Sequence, residues 1–346
     1  MTAIQPGGRQ DGRRQRELTI EDIARATGVS SPTVSRVLNG KAGVSASTRE
    51  RVEAALRESG YRRQEGRQSL AIVELMFHAL ESPWALEIIC GVERVAREHE
   101  LAVVLTEMQG RFTPGRAWTE QVLERRPTGV VAVFSELTVQ QQSQLATRGI
   151  PLVVVDPTGE PLHETPSVGA TNWSGGVAAT RHLLDLGHRR IAMISGPTQW
   201  PCCRARLDGY NAAMASAGIT VEPALTPVEI LYVEGGLRAG TSLLRLPDPP
   251  TAIFTANDLQ AIGVFEAARR AGMRIPQELS VVGFDDLPYA QWSGPPMTTV
   301  RQPLADMGAT AARLLVALSR GEQPDQLRIE LSTTLIVRES TAPPGR

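Results

Sequence analysis

Cysteine is scarce in this chain: Cys90, Cys202 and Cys203 are the only three among 346 residues. An odd set with one adjacent pair is no disulfide framework, and no C-x-x-C or histidine pairing points to zinc. Such thiols suit a reducing compartment. Long apolar runs are missing too. Nowhere do about 18 apolar residues follow one another, so no membrane span is expected. The opening MTAIQPGGRQDGRRQRE lacks the apolar stretch of a secretory signal, so the expected location is the cytoplasm. Catalytic signatures are absent as well: there is no G-x-S-x-G, no Walker loop and no G-x-G-x-x-G after a strand. His78, His99, His163, His182 and His188 are dispersed. Asp285 and Asp286 are adjacent, but neighbours in a strand point to opposite faces and make a poor acid/base dyad. No catalytic residue, cofactor or metal is expected.

Lysine occurs once, at Lys41, so the positive charge is almost all arginine. It is unevenly spread. Residues 1–68 carry 13 Lys+Arg against 8 Asp+Glu, whereas the remainder carries 23 against 29. A basic front on an acidic body points to nucleic acid at the front. A sequence-blind DNA binder would be far more basic overall. The length suffices for two or three domains.

Residues 1–17 have no periodicity and read as a disordered basic tail. The pattern then becomes helical. Thr19 reads as an N-cap with Asp22 three residues on, and Ile23, Ala24 and Thr27 share one face. Gly28 suits the left-handed exit of that helix. Ser30 can cap the next, with Pro32 in its first turn and Val34, Val37 and Leu38 turned inward. A third helix is expected from about Ser47 to Glu58, ended by Gly60. Two short helices joined by a Gly turn, with a third across them, form a helix-turn-helix arrangement. The second helix exposes Ser31, Thr33, Ser35 and Arg36, short donors and one guanidinium able to bond guanine in the major groove. A three-helix headpiece for protein contacts is the plainer alternative.

Residues 18–61, LTIEDIARATGVSSPTVSRVLNGKAGVSASTRERVEAALRESGY, resemble the headpiece of the lactose-repressor family of bacterial transcription regulators. The resemblance implies double-stranded DNA as partner, a pseudo-palindromic operator, and a contact set of Thr19, Ser30, Ser31, Pro32, Thr33, Ser35, Arg36 and Asn39. In that family the next segment forms a hinge helix on DNA. Here the linker, 62–69, is shortened, and Gly66 weakens any helix by about 1 kcal/mol relative to Ala. It is expected to stay unfolded and to touch phosphates through Arg62, Arg63 and Arg67.

From Leu70 to the end, residues 70–346, apolar strands alternate with helices. LAIVELMF, LAVVLTE, GVVAVF, PLVVVD, RIAMISG, TAIFTAN and SVVGFDD read as buried parallel strands, with MTTVRQP and LRIELSTTLIVRES as later ones. Helices such as WALEIICGVERVAREH lie between them. The expected fold class is α/β: an all-α headpiece followed by a two-subdomain, doubly wound parallel-sheet core. LLDLGHRRIAMISGP, RARLDGY, PTAIFTANDLQAIGV and IPQELSVVGFDD resemble the same family, whose core is similar to periplasmic sugar-binding proteins. The family's C-terminal heptads are not visible before TAPPGR, so the resemblance implies a homodimer.

Ligands of open α/β sheets bind at the C-terminal strand ends. Ser135, Asp156, Asn257 and Asp285 stand at such ends, and Arg204 begins the helix after RIAMISG. Any one of the acidic or amide residues could instead cap the following helix; together they suggest one site. By resemblance, Asp156, Arg204, Asn257 and Asp285 match effector contacts, and Trp84 matches a cleft position, the alternative being a core residue. Leu231 stands where the family often has an aromatic, which argues against a flat ring stacked on that wall. Asp and Asn accept from hydroxyls and Arg donates a fork, chemistry that suits a mono- or oligosaccharide. The reading is a sugar-controlled transcription repressor. The alternative is a sugar-binding protein without a regulatory role, for which a headpiece would have no use.

Overall fold

The computed structural model describes residues 19–38, 43–59, 70–157 and 165–345. The expected tail 1–17, the linker 62–69 and Asn39 lie outside the described residues. The chain divides into a small helical unit in its first 66 residues and a large α/β unit.

The helical unit has α1 (Ile20–Thr27), α2 (Ser31–Leu38) and α3 (Ala46–Glu58). Thr19 caps α1 in a capping box: its hydroxyl accepts from the Asp22 N–H, and the Asp22 carboxylate accepts from the Thr19 N–H at 2.9 Å. Gly28, at φ 66°, ends the helix. The Ser30 hydroxyl accepts from the Thr33 N–H and so starts α2. Ser45 does the same for α3, which begins one residue before the expected Ser47. Ile23, Ala24, Val34, Val37, Leu38, Val52 and Leu56 form one small core. Arg36 and Pro32 are exposed on α2, and Ser31, Thr33 and Ser35 are half-buried.

The large unit opens with β1 (Leu70–Phe77), α4 (Pro83–Glu98), β2 (Ala102–Glu107), α5 (Arg116–Arg125), β3 (Pro127–Val133), α6 (Val139–Thr147), β4 (Leu152–Val155) and β5 (Ser167–Ala170). A second subdomain follows: α7 (Asn172–Asp185), β6 (Ile191–Ile194), α8 (Pro201–Ser216), α9 (Val233–Leu244), β7 (Ala252–Thr255), α10 (Asp258–Ala271), β8 (Ser280–Asp285) and β9 (Thr298–Arg301). The chain then returns with α11 (Leu304–Ser319) and β10 (Arg328–Leu331) to the first subdomain, and ends in β11 (Thr334–Ile336) in the second. The first sheet has the order β10-β5-β4-β3-β1-β2, all parallel. The second has the order β11-β9-β8-β7-β6. Its strands are parallel except the edge strand β11, which runs antiparallel to β9. Apolar clusters cover both faces of each sheet, which is why the strands read as unbroken apolar runs.

Three passages therefore join the subdomains, at Thr171, at Gln302–Pro303 and at Ser332–Thr333. They are tied together: the Thr333 N–H donates to the Thr171 hydroxyl at 2.9 Å, and the Thr171 N–H to the Leu331 carbonyl at 2.9 Å. Two elements had no counterpart among the expected ones. β5, Ser-Val-Gly-Ala, is four residues of small side chains. α11 starts directly after Pro303, whose missing N–H ends β9 pairing and suits a helix start.

Helices α7 and α8 cross at backbone contact. A Cβ at Gly209 would sit inside the carbonyl of Trp173, and one at Gly176 inside that of Arg206. Overpacking of this kind costs about 1–3 kcal/mol. Gly209→Ala should lower the denaturant midpoint of the core by a corresponding amount at unchanged m-value. Gly272→Ala, at a left-handed helix end in open space, should cost less. Equal losses would contradict the close crossing.

Candidate functional site

The parallel strands bring their C-terminal ends to facing edges of the two subdomains, and a cavity of about 430 Å³ lies there. The first subdomain contributes Phe77 at the end of β1, His78 just beyond it, Phe112 after β2, Phe134 after β3 and Asp156 after β4. The second contributes Trp200 before α8, Asn257 after β7 and Asp285 at the end of β8. Leu231 and Tyr232 lead into α9, and Gln302 sits in the middle passage between subdomains. Phe134, Asp156 and Asp285 have φ of 48°, 50° and 117°. Non-glycine residues seldom occupy this left-handed region, and each one here turns a strand end toward the cleft.

Arg206 organises the polar floor. It is buried, and a buried charge needs partners. Its Nε donates to Asn172 Oδ1 at 2.8 Å and its Nη1 to the Ala256 carbonyl at 2.5 Å. The guanidinium lies over the Phe284 ring, 3.8 Å from the centroid, and 3.8 Å from Asp285 Oδ1. Asp285 Oδ1 also accepts from Gln302 Nε2 at 2.6 Å. Burial pushes the Asp285 carboxyl up to about 7, with the Arg206 charge working against that rise. Burial likewise raises Asp156, again opposed by Arg206. Gln302 Oε1 is buried without a hydrogen-bond partner.

The opposite wall is aromatic. His78 and Phe112 stack at 3.9 Å with an interplanar angle of 6°. Phe134 meets Trp84 edge-on at 6.3 Å and Trp200 at 4.9 Å, and Trp200 lies 5.3 Å from Phe112. Trp200 belongs to the second subdomain and the other rings to the first, so the wall is assembled from both.

Of the residues expected at the site, Trp84, Asp156, Asn257 and Asp285 line this cavity. Asn257 also caps α10: its Oδ1 accepts from the Gln260 N–H at 2.9 Å, and its Nδ2 donates to the Leu231 carbonyl at 3.0 Å. Two expectations are corrected. Arg204 is exposed, because two residues along a helix turn the side chain about 200°. Arg206, on the other side of α8, is the guanidinium in the cleft. Ser135 is buried beside the cavity and its hydroxyl donates to the Val133 carbonyl at 2.8 Å. The left-handed turn at Phe134 aims that ring at the cleft in its place. Asp258 and Asp286 face elsewhere: Asp258 accepts from Thr299 and from the Leu287 N–H, and Asp286 pairs with Arg301 and Arg338. In the helical unit, Thr19 and Ser30 spend their hydroxyls on helix caps. Phe112, Trp200 and Gln302 were not anticipated; each lies in a loop where periodicity carries no signal. Among the described residues no helix is long and apolar enough to cross a membrane, and no group of three or more His, Cys, Asp or Glu could hold a metal.

The chain is similar to known proteins along most of its length. Residues 19–64 match the model of bacterial regulatory proteins of the lacI family, and 180–341 that of a periplasmic binding protein-like domain. The chain is 33% identical over 332 residues to the HTH-type transcriptional repressor CytR of Escherichia coli strain K12, covering 93% of this chain and 96% of that one. It is 32% identical over 330 residues to the ribose operon repressor of the same strain, covering 93% and 99%. Among solved structures it is similar to a transcriptional regulator CelR–cellobiose complex, with TM-score 0.72, 33% identity and coverage of 93% and 99%. It is also similar to a lac repressor dimer bound to operator and the anti-inducer ONPF, with TM-score 0.68, 28% identity and coverage of 94% and 100%.

The raised Asp285 carboxyl has a consequence for stability. An unfolded aspartate titrates near 4 and the folded one at about 7, so folding favours the protonated form. That contribution is fully present below about pH 4 and is lost as pH rises through 7. Asp285→Asn removes the titration. Its stability relative to the parent chain should therefore rise from pH 4 to pH 7 in denaturant unfolding. A constant difference across that window would contradict the assignment.

Proposed function

Because the chain belongs to the lacI family of bacterial regulatory proteins, we propose that it is a transcriptional repressor controlled by a sugar bound in the cleft between its core subdomains. The headpiece reads operator DNA through α2, and the protein acts as a dimer on a pseudo-palindromic site, where DNA itself is found, in the cytoplasm. The observation that carries this reading is the pairing of a helix-turn-helix unit with a cleft whose floor is Asp156, Arg206, Asp285 and Gln302. Carboxylates and an amide oxygen take hydrogen bonds from ligand hydroxyls. The rings across the cleft offer flat apolar faces to the C–H side of a ligand that reaches them.

Catalysis has no support in this floor. Asp285 faces the cleft and Asp286 faces Arg301 and Arg338, so the adjacent carboxylates do not form an acid/base pair. The control is conformational. Cleft residues come from both subdomains, so a bound ligand favours the arrangement in which both sets touch it. A preference of about 1–3 kcal/mol between states suffices for a useful switch.

Two measurements test the reading. Arg36→Ala should weaken binding to the selected operator by roughly 1–3 kcal/mol and binding to random DNA far less, by gel shift at fixed salt. Equal loss on both would make Arg36 a phosphate contact only. Arg206→Met should remove the sugar response found in a thermal-shift screen of saccharides, while Arg204→Ala leaves it intact. A sugar response lost with Arg204 and kept with Arg206 would reverse the assignment.

A further inference from the structure

The two halves of the cavity differ in chemistry, and the difference narrows the ligand. The floor is rich in acceptors. Asp156 and Asp285 bring two carboxyl groups, and Gln302 Oε1 is a buried amide oxygen with no partner. Among the described residues the guanidinium there is that of Arg206, which already gives Nε and Nη1 to Asn172 and Ala256. A floor of this kind calls for a ligand that donates several hydrogen bonds and carries no negative charge. A phosphate or carboxylate placed there meets two acidic groups and a cation that is largely committed, and it loses its hydration on entry.

The wall makes a different demand. His78, Phe112, Phe134 and Trp200 form one connected set of rings, and Trp84 joins it through Phe134. His78 Nδ1 is engaged by the Arg111 carbonyl at 3.0 Å, which leaves that side of the ring set apolar. A single hydroxylated ring seated on the floor would leave these faces against water. A second ring attached to it would cover them. Because Trp200 comes from one subdomain and Phe112 and Phe134 from the other, that second ring would also touch both sides of the cleft.

We infer that the effector is a neutral two-ring glycoside, one hydroxylated ring on the Asp156–Asp285–Gln302 floor and a second ring on the Phe112–Phe134–Trp200 wall. A disaccharide, an aryl glycoside and a nucleoside share this chemistry; a free monosaccharide and a sugar phosphate do not. The inference rests on the sugar-controlled reading of the same cleft, and Trp200 is its specificity-determining residue.

The test is calorimetric titration of the full chain with matched ligands in the gluco and galacto series: the free hexose, its 6-phosphate, the disaccharides cellobiose, maltose and lactose, and the phenyl glycosides, with cytidine and adenosine as nucleoside arms. At least one two-ring ligand should bind about tenfold or more tightly than its own monosaccharide, the scale of one good aromatic contact. Which arm does so identifies the second ring. The 6-phosphates should bind more weakly than their parent hexoses. Trp200→Ala should lower affinity for the two-ring ligand about tenfold and for its monosaccharide far less, and Phe112→Ala, checked for an unchanged unfolding midpoint, should do the same by a second route. Monosaccharides that bind as tightly as their glycosides, or a phosphate that improves binding, would overturn the inference and leave the proposed function standing. Operator binding that no saccharide or nucleoside of the panel strengthens or weakens would remove the proposed effector, and the inference with it.

Discussion

One buried guanidinium holds the ligand end of the core together. Arg206 donates to Asn172, the first residue of α7 after the chain has crossed between subdomains, and to the Ala256 carbonyl beyond β7. It stacks on Phe284 of β8 and faces Asp285 at the end of the same strand. Three pieces of backbone that are distant in sequence therefore share one side chain. An ion removed from water in this way is tolerated only when its partners are fixed. The close crossing of α7 and α8 at Gly176 and Gly209 fixes them, because it lets the helix carrying Arg206 approach the helix carrying Asn172.

The same charge sets the electrostatics of the cleft. Both Asp156 and Asp285 are buried, and burial raises both carboxyl groups while Arg206 pulls them down. The balance leaves a floor that accepts hydrogen bonds without gathering strong net charge. Gln302 adds to it from a passage between subdomains, where its Nε2 reaches Asp285 and its backbone N–H reaches the Asp285 carbonyl at 3.2 Å. A group that touches the ligand floor and also belongs to a connecting strand is well placed to feel both binding and subdomain movement. Across from it, the aromatic wall joins the subdomains through dispersion and ring geometry.

The helical unit works by a separate logic. Among the described residues its core is seven buried side chains, and helix caps at Thr19, Ser30 and Ser45 define where each helix starts. With so small a core, caps of about 1 kcal/mol each are a large share of stability. They also spend two hydroxyls that otherwise look available for DNA, so the exposed Arg36 stands out on α2.

Local chemistry is legible in one dimension, and much of this protein is local chemistry. Capping residues, helix-ending glycines and apolar runs of strand length mark the headpiece and most core strands, because each depends on neighbours within a few residues. The strand ends with Asp156, Asn257 and Asp285 were legible for the same reason. What the sequence could not determine is rotation and partnership. Arg204 and Arg206 look equivalent in a string, and only the phase of α8 against α7 turns one to water and the other into the cleft. Ser135 yields to Phe134 because a left-handed residue at the end of β3 overrides strand alternation. The aromatic wall gathers rings from five separate segments, and β10 and β11, two residues apart, enter different sheets. These outcomes depend on contacts between residues far apart in the chain, so only the tertiary structure could decide them.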